Sequence, residues 1–148
     1  MKMTQRHKKF ILNRLIPAIM REGGRGFAME WWYERLAPKG KLVADRLPRV
    51  VPKCGTVCCI GGTIQMLCGN QCNDADLAGA KLGLSPDRAR VLFYGWEGQE
   101  DGVMLRYSVW PDKYVKAYKK SKTCRGKAGV ACRLLREVVE TEGRCLDV

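Results

Sequence analysis

Residues 53–69, KCGTVCCIGGTIQMLCG, constrain the fold more than any other stretch of the chain. The run from Cys59 to Leu67 is mostly apolar, yet it holds two adjacent glycines, Gly61 and Gly62. Each glycine costs a helix interior about 1 kcal/mol relative to alanine. Thr56 is a fitting N-cap, its hydroxyl able to accept a free N–H of the first turn, so the spacing predicts a helix over 57–69. Cys59, Gly62, Thr63 and Met66 then share one side, and Ile60, Ile64 and Leu67 the other. A helix apolar on most of its circumference is buried on several sides, and the glycine pair marks a place where another backbone comes close.

The rest of the chain reads as helices of ordinary length around this one. Phe10, Ile11, Leu15, Ile16 and Ile19 recur at helical spacing and predict a helix over 4–21, kinked at Pro17 and ended by Gly23-Gly24. Trp31, Trp32 and Tyr33 crowd a short aromatic segment, where they fill the core around a bend or leave one ring exposed as a stacking or docking residue. The prolines and Gly40 of 37–53 predict an irregular connection. Asn73 or Asp74 caps a helix over 74–82, and Ser85-Pro86 opens a second to about Tyr94. Residues 104–109 read as a short extended segment. A helix from Pro111 to Lys120 follows, and a last one over 126–141 has Ala131, Leu134, Leu135 and Val138 as its apolar stripe. The expected fold is mainly α: a compact single-domain bundle of about five or six helices spanning 1–148.

The string Cys54-Gly55-Thr56-Val57-Cys58-Cys59-Ile60-Gly61-Gly62 resembles the C-G-T-x-x-C-I-x-G signature of small, largely uncharacterised proteins from phages, plasmids and actinobacterial or proteobacterial genomes. Cys54, Gly55, Thr56, Cys59 and Gly62 are the matching positions; Cys58 stands where that group usually has a small residue. Phe27-Ala28-Met29 with Trp32, Leu82-Gly83-Leu84, Leu92-Phe93-Tyr94, and Trp110-Pro111 with Tyr114 and Tyr118 are similar as well. The resemblance implies a mobile-element origin and brings no established activity with it.

A chain of 148 residues can bury close to ~70% of its unfolded surface in one core. No stretch approaches the ~18 apolar residues of a membrane span, and no apolar segment or small-residue cleavage site follows the charged N-terminus. The expectation is a cytoplasmic protein, in a host cell if phage-encoded, that makes no membrane contact. Eight cysteines in such a setting read as reduced thiols or metal ligands rather than disulfides.

Charge carries the functional signal. The net charge is +12, divided as +6 over residues 1–25, zero over 26–112, +9 over 113–136 and −3 over the tail. A neutral body flanked by basic segments points to a polyanionic partner. Lys113, Lys116 and Lys120 form a row on the helix after Pro111, and Lys119, Lys122, Arg125 and Lys127 extend it, with Arg133 and Arg136 on the outer side of the last helix. Lysine outnumbers arginine here, which suits point-charge contact with phosphates better than bidentate readout of bases. Tyr114, Ala117 and Tyr118 share a neighbouring face, where the tyrosines are either base-stacking groups or core.

Three other chemistries are present in outline. Cys54, Cys58, Cys68 and Cys72 form C-x3-C-x9-C-x3-C, near zinc-ligand spacing, but Cys58 and Cys68 on one continuous helix lie ~15 Å apart, so zinc requires that helix to break. Smaller sets would join Cys54 and Cys58 to Cys124 or Cys132. Cys58 or Cys59 at a helix start could be an activated nucleophile, whose base would have to be His7, the chain's one histidine. Leu77 to Phe93 resembles the helical hairpin of bacterial DNA-binding domains, with Gly79 at the small-residue position, but Val91, Leu92 and Phe93 leave its second helix little polar length for a groove. The leading expectation is a basic, non-enzymatic, phage-like protein that binds nucleic-acid backbone. The alternatives are an inhibitor of a host defence protein, and a cysteine-dependent enzyme or zinc module; no other cofactor is expected, and oligomeric state is not readable from the sequence.

Overall fold

The computed structural model describes residues 2–24, 26–29, 34–35, 56–57, 59–72, 74–97 and 110–147. It is a compact helical fold. The elements are α1 (Gln5–Phe10), a π-helical segment (Ile11–Leu15), α2 (Ile16–Ile19), a two-residue antiparallel pair β1 (Glu34–Arg35) and β2 (Thr56–Val57), α3 (Ile60–Cys68), α4 (Ala75–Lys81), α5 (Pro86–Tyr94), α6 (Asp112–Lys120) and α7 (Cys124–Thr141). Short 3-10 turns follow α2, α3, α5 and α7.

The N-terminal helix starts on a capping box, in which the Thr4 hydroxyl accepts from His7 N–H while Thr4 N–H donates to His7 Nδ1. The expected kink at Pro17 takes a specific form. Pro17 has no N–H and its ring crowds the carbonyl of Asn13, so the preceding turn widens and Ile16 N–H bonds to Ile11 C=O. The apolar face is kept through the bulge: Ile11, Leu15, Ile16 and Ile19 are all buried. The helix then ends in a 3-10 turn, where Gly24 has φ +79° and an added Cβ would lie 2.7 Å from Ala128 Cβ of α7. That close approach lets the N-terminal helix dock on α7.

The central helix differs from the sequence expectation. It starts at Ile60, three residues later than expected, and its N-cap is Cys59, whose Sγ accepts from Gly62 N–H at 3.4 Å. Thr56 is instead in β2, paired with Arg35, because the antiparallel ladder supplies its backbone with partners that a first helical turn would leave free. The burial expectation holds at Ile60 and Ile64, both fully enclosed, and at Gly61, Gly62 and Thr63. Thr63 Oγ1 is satisfied by donating to Cys59 C=O at 2.7 Å.

α4 and α5 form the expected hairpin. Asp74 caps α4, Ser85 caps α5 with Pro86 in its first turn, and Gly83 turns the chain at φ +72°. α7, capped by Thr123, spans 18 residues and presents Ala131, Leu134, Leu135 and Val138 to the core with none exposed. The C-terminal turn is locked to the hairpin by Arg88, which makes a bidentate pair with Asp147 (2.6 and 2.7 Å) and donates to Glu142 C=O. Lys8 ties α1 to the same place through Glu142 at 2.9 Å. The aromatic segment 31–33, the connection 37–53, Cys54, Gly55, Cys58 and the segment 104–109 lie outside the described residues.

Candidate nucleic-acid interface

The basic region is built on an amphipathic helix. α6 buries Tyr114, Val115 and Tyr118 and turns Lys113, Lys116, Lys119 and Lys120 to solvent. The two tyrosines are core and are not available to stack on bases. Tyr118 is 2% exposed, accepts a hydrogen bond from Met29 N–H at 2.9 Å, and lies against the rings of Trp96 and Trp110 at 5.5 and 5.7 Å between centroids. The Tyr114 hydroxyl bonds to Glu137, and burial together with that carboxylate pushes its ionisation well above the ordinary range. Aromatic area beside a lysine row is spent on the core here because α7 lies directly behind it.

The nine candidate cations separate by environment. Lys113 pairs with Glu137 at 2.7 Å and sits over the Tyr114 ring, and Lys116 pairs with Asp112 at 2.7 Å. Lys127 lies 5.2 Å from the centroid of Tyr118. Lys119, Lys122 and Arg136 are exposed. Lys120, Arg125 and Arg133 are brought together: they line a shallow groove of about 650 Å³ where the end of α6 meets the start of α7. Arg125, Gly129 and Arg133 follow one another at four-residue intervals along α7, so two guanidinium groups flank a position with no side chain. The groove also takes in Ser121, Thr123, Gly126 and Met20, which charge counting passed over. The Ser121–Thr123 turn between two basic helices was the available signal, since hydroxyls at a helix start are common anion partners.

Among the described residues the groove has no acidic lining, and Lys120, Arg125 and Arg133 form no ion pair. The Thr123 hydroxyl accepts from Gly126 N–H at 3.0 Å, leaving its own proton to donate. Comparison with protein-family models, curated proteins and solved structures finds no match.

The other candidate sites have different fates. Cys54 and Cys58, half of the four-thiolate set, lie outside the described residues. Cys68 and Cys72 are neighbours, and among the described residues no group of three or more His, Cys, Asp or Glu is arranged to hold a metal ion. Burial and then Cys68 raise the Cys72 thiol above its usual range, burial takes Cys132 up to about 11, and burial raises Cys145 as well. These thiols are protonated at neutral pH and weak nucleophiles. Cys59 is 2% exposed and serves as a helix cap. His7 uses Nδ1 as an acceptor for its own helix cap, which places the proton of the neutral ring on Nε2, and the ring is wedged against Gly83. On α5, the polar side chains that a groove would meet are Asp87, Arg88 and Arg90; Arg88 is held by Asp147, and Arg90 lies 3.9 Å from Asp87. Gly79, the small residue of the hairpin, is where α4 and α5 touch. Its role is packing.

Proposed function

We propose that this chain is a non-enzymatic, basic protein of mobile-element type that binds the phosphate backbone of nucleic acid across the α6–α7 groove. One observation supports the reading above the others: Lys120, Arg125 and Arg133 converge on a groove, and among the described residues no acid lines it and no ion pair uses them. Three uncompensated cations at close quarters repel one another and are relieved when an anion enters. Ser121 and Thr123 supply hydroxyl donors beside them. Exposed Lys119, Lys122 and Arg136 extend the same charge, so a strand several nucleotides long meets further contacts on either side. The buried tyrosines leave no stacking platform on this face, so the affinity is electrostatic and tolerant of sequence.

The test is fluorescence anisotropy of labelled DNA and RNA oligonucleotides across a salt series. Log affinity should fall linearly with log salt, with a slope near −2.7 on duplex DNA if the three groove cations act alone, at about −0.9 per phosphate. Participation of Lys119, Lys122 and Arg136 would steepen it towards about −5. Absence of binding at ~50 mM salt sinks the reading and turns attention to an acidic surface on a host protein, which would use the same cations.

A further inference from the structure

The +6 N-terminal segment is not absorbed by the α6–α7 groove, and it faces a cavity of its own. On the N-terminal helix, Arg6, Lys9, Phe10 and Arg14, at positions i, i+3, i+4 and i+8, form one wall of a space of about 800 Å³. The opposite wall is α4, with Leu77 and Lys81. The end of α3 and its following turn close the base with Leu67, Cys68 and Cys72. Three features of this cavity need an explanation. It gathers four cations, Arg6, Lys9, Arg14 and Lys81, and among the described residues no acid lines it and no ion pair involves them. It holds an apolar surface that the fold has left uncovered: Leu77 is 47% exposed and Phe10 only half-buried. Lys81 Nζ lies over the Phe10 ring, 5.4 Å from its centroid, so one face of the ring carries a cation and the rest of it is open to a flat group.

We infer that this cavity binds a nucleotide, its phosphates on Arg6, Lys9, Arg14 and Lys81 and its base against Phe10 and Leu77. The volume lies within the range of roughly 300–1,000 Å³ usual for small-molecule sites. An inorganic anion would satisfy the cations but leave the apolar wall in water, whereas an apolar ligand would bury four charges without partners. A molecule with a polyphosphate at one end and a flat aromatic group at the other satisfies both walls. This inference stands apart from the α6–α7 reading, since no residue is shared between the two sites.

The experiment is titration of the full-length protein with ATP, with adenosine and with orthophosphate, read by calorimetry. A second readout is alkylation of Cys68, a half-exposed thiol at the base of the cavity, followed by peptide mass spectrometry with half-exposed Cys124 on α7 as the reference. ATP should bind and slow alkylation of Cys68 severalfold while leaving Cys124 unchanged. Arg14→Ala and Lys81→Ala, each losing a charge-assisted contact, should weaken ATP by roughly tenfold or more. Arg14 is exposed and Lys81 half-buried, and a thermal melt of each variant confirms that it folds. Orthophosphate competing as well as ATP would overturn the nucleotide assignment, because the apolar wall would then play no part. ATP binding without Cys68 protection, or insensitive to both variants, would place the ligand elsewhere and overturn it equally. Failure of ATP to bind while oligonucleotides do would reject this site and leave the α6–α7 reading standing.

Discussion

Replacing Gly79 by alanine sets two calculable effects against each other. Helix propensity alone favours the change by about 1 kcal/mol, because alanine loses less backbone entropy than glycine in α4. The packing opposes it. A Cβ at position 79 would lie 2.3 Å from Ala89 Cβ and 3.6 Å from Ala89 Cα, where ordinary carbon contacts are ~3.5–4.0 Å. Ala89 is 1% exposed and its methyl cannot rotate away, so α4 and α5 must separate by more than ~1 Å locally in a close-packed interior. Overpacking of that kind costs about 1–3 kcal/mol. The net expectation is a destabilisation of about 0–2 kcal/mol, or a fall in Tm of up to about 8 °C for a chain of this size. Ala89→Gly on its own loses about 0.8 kcal/mol of methyl burial and about 1 kcal/mol of propensity. In the double variant the methyl has only moved from one helix to the other, so stability should return to within about 1 kcal/mol of the parent. Paired urea and thermal melts of the four proteins give the coupling energy directly. A stabilised Gly79→Ala, or additive losses in the double variant, would refute the close contact of α4 with α5.

Other expectations follow from the same geometry. Combined Lys120→Ala, Arg125→Ala and Arg133→Ala should flatten the salt dependence of oligonucleotide binding by about 2.7 slope units; an unchanged slope would remove the groove from the interface. Tyr118→Phe leaves Met29 N–H without its acceptor in a buried site and should cost about 1–3 kcal/mol in a denaturant melt, with no change in that slope. Glu137 is held below the ordinary carboxylate range, first by Lys113 and then by Tyr114. Because its folded pKa is depressed, it adds stability above the ordinary carboxylate range, and that contribution is lost as pH falls through the depressed value. Glu137→Gln should therefore lower Tm at pH 7 and lose its effect in acid below the ordinary carboxylate range; an equal deficit at both ends would show that the pair contributes no charge term.

Where structure followed from the order of neighbouring residues, the sequence was sufficient. Asp74, Ser85-Pro86 and Gly83 delimit the α4–α5 hairpin within a residue of expectation, and the stripe from Ala131 to Val138 is the buried face of α7. Caps, turns and periodicity act over three or four residues, so they can be read along the chain. The central helix shows where that reading stops. Thr56 is a good cap by composition, but it is drawn into pairing with Arg35, 21 positions away, and Cys59 caps the helix instead. No local rule weighs a distant ladder against a nearby hydroxyl.

The basic segments divide in the same way. Their excess of lysine and arginine was visible as net charge, as was the lysine row on α6. Which cations are left without an acid depended on packing. Glu137 on α7 reaches Lys113 on α6, and Tyr114 and Tyr118 turn inward against α7 and the indoles. Lys120, Arg125 and Arg133, by contrast, meet only because α6 and α7 join at the Ser121–Thr123 turn. Arg14 and Lys81 are 67 positions apart in sequence and share a cavity because α4 packs near the N-terminal helix. Composition determined how much charge the protein has; tertiary packing decided where that charge is left unpaired, because pairing depends on distances that only the folded chain sets.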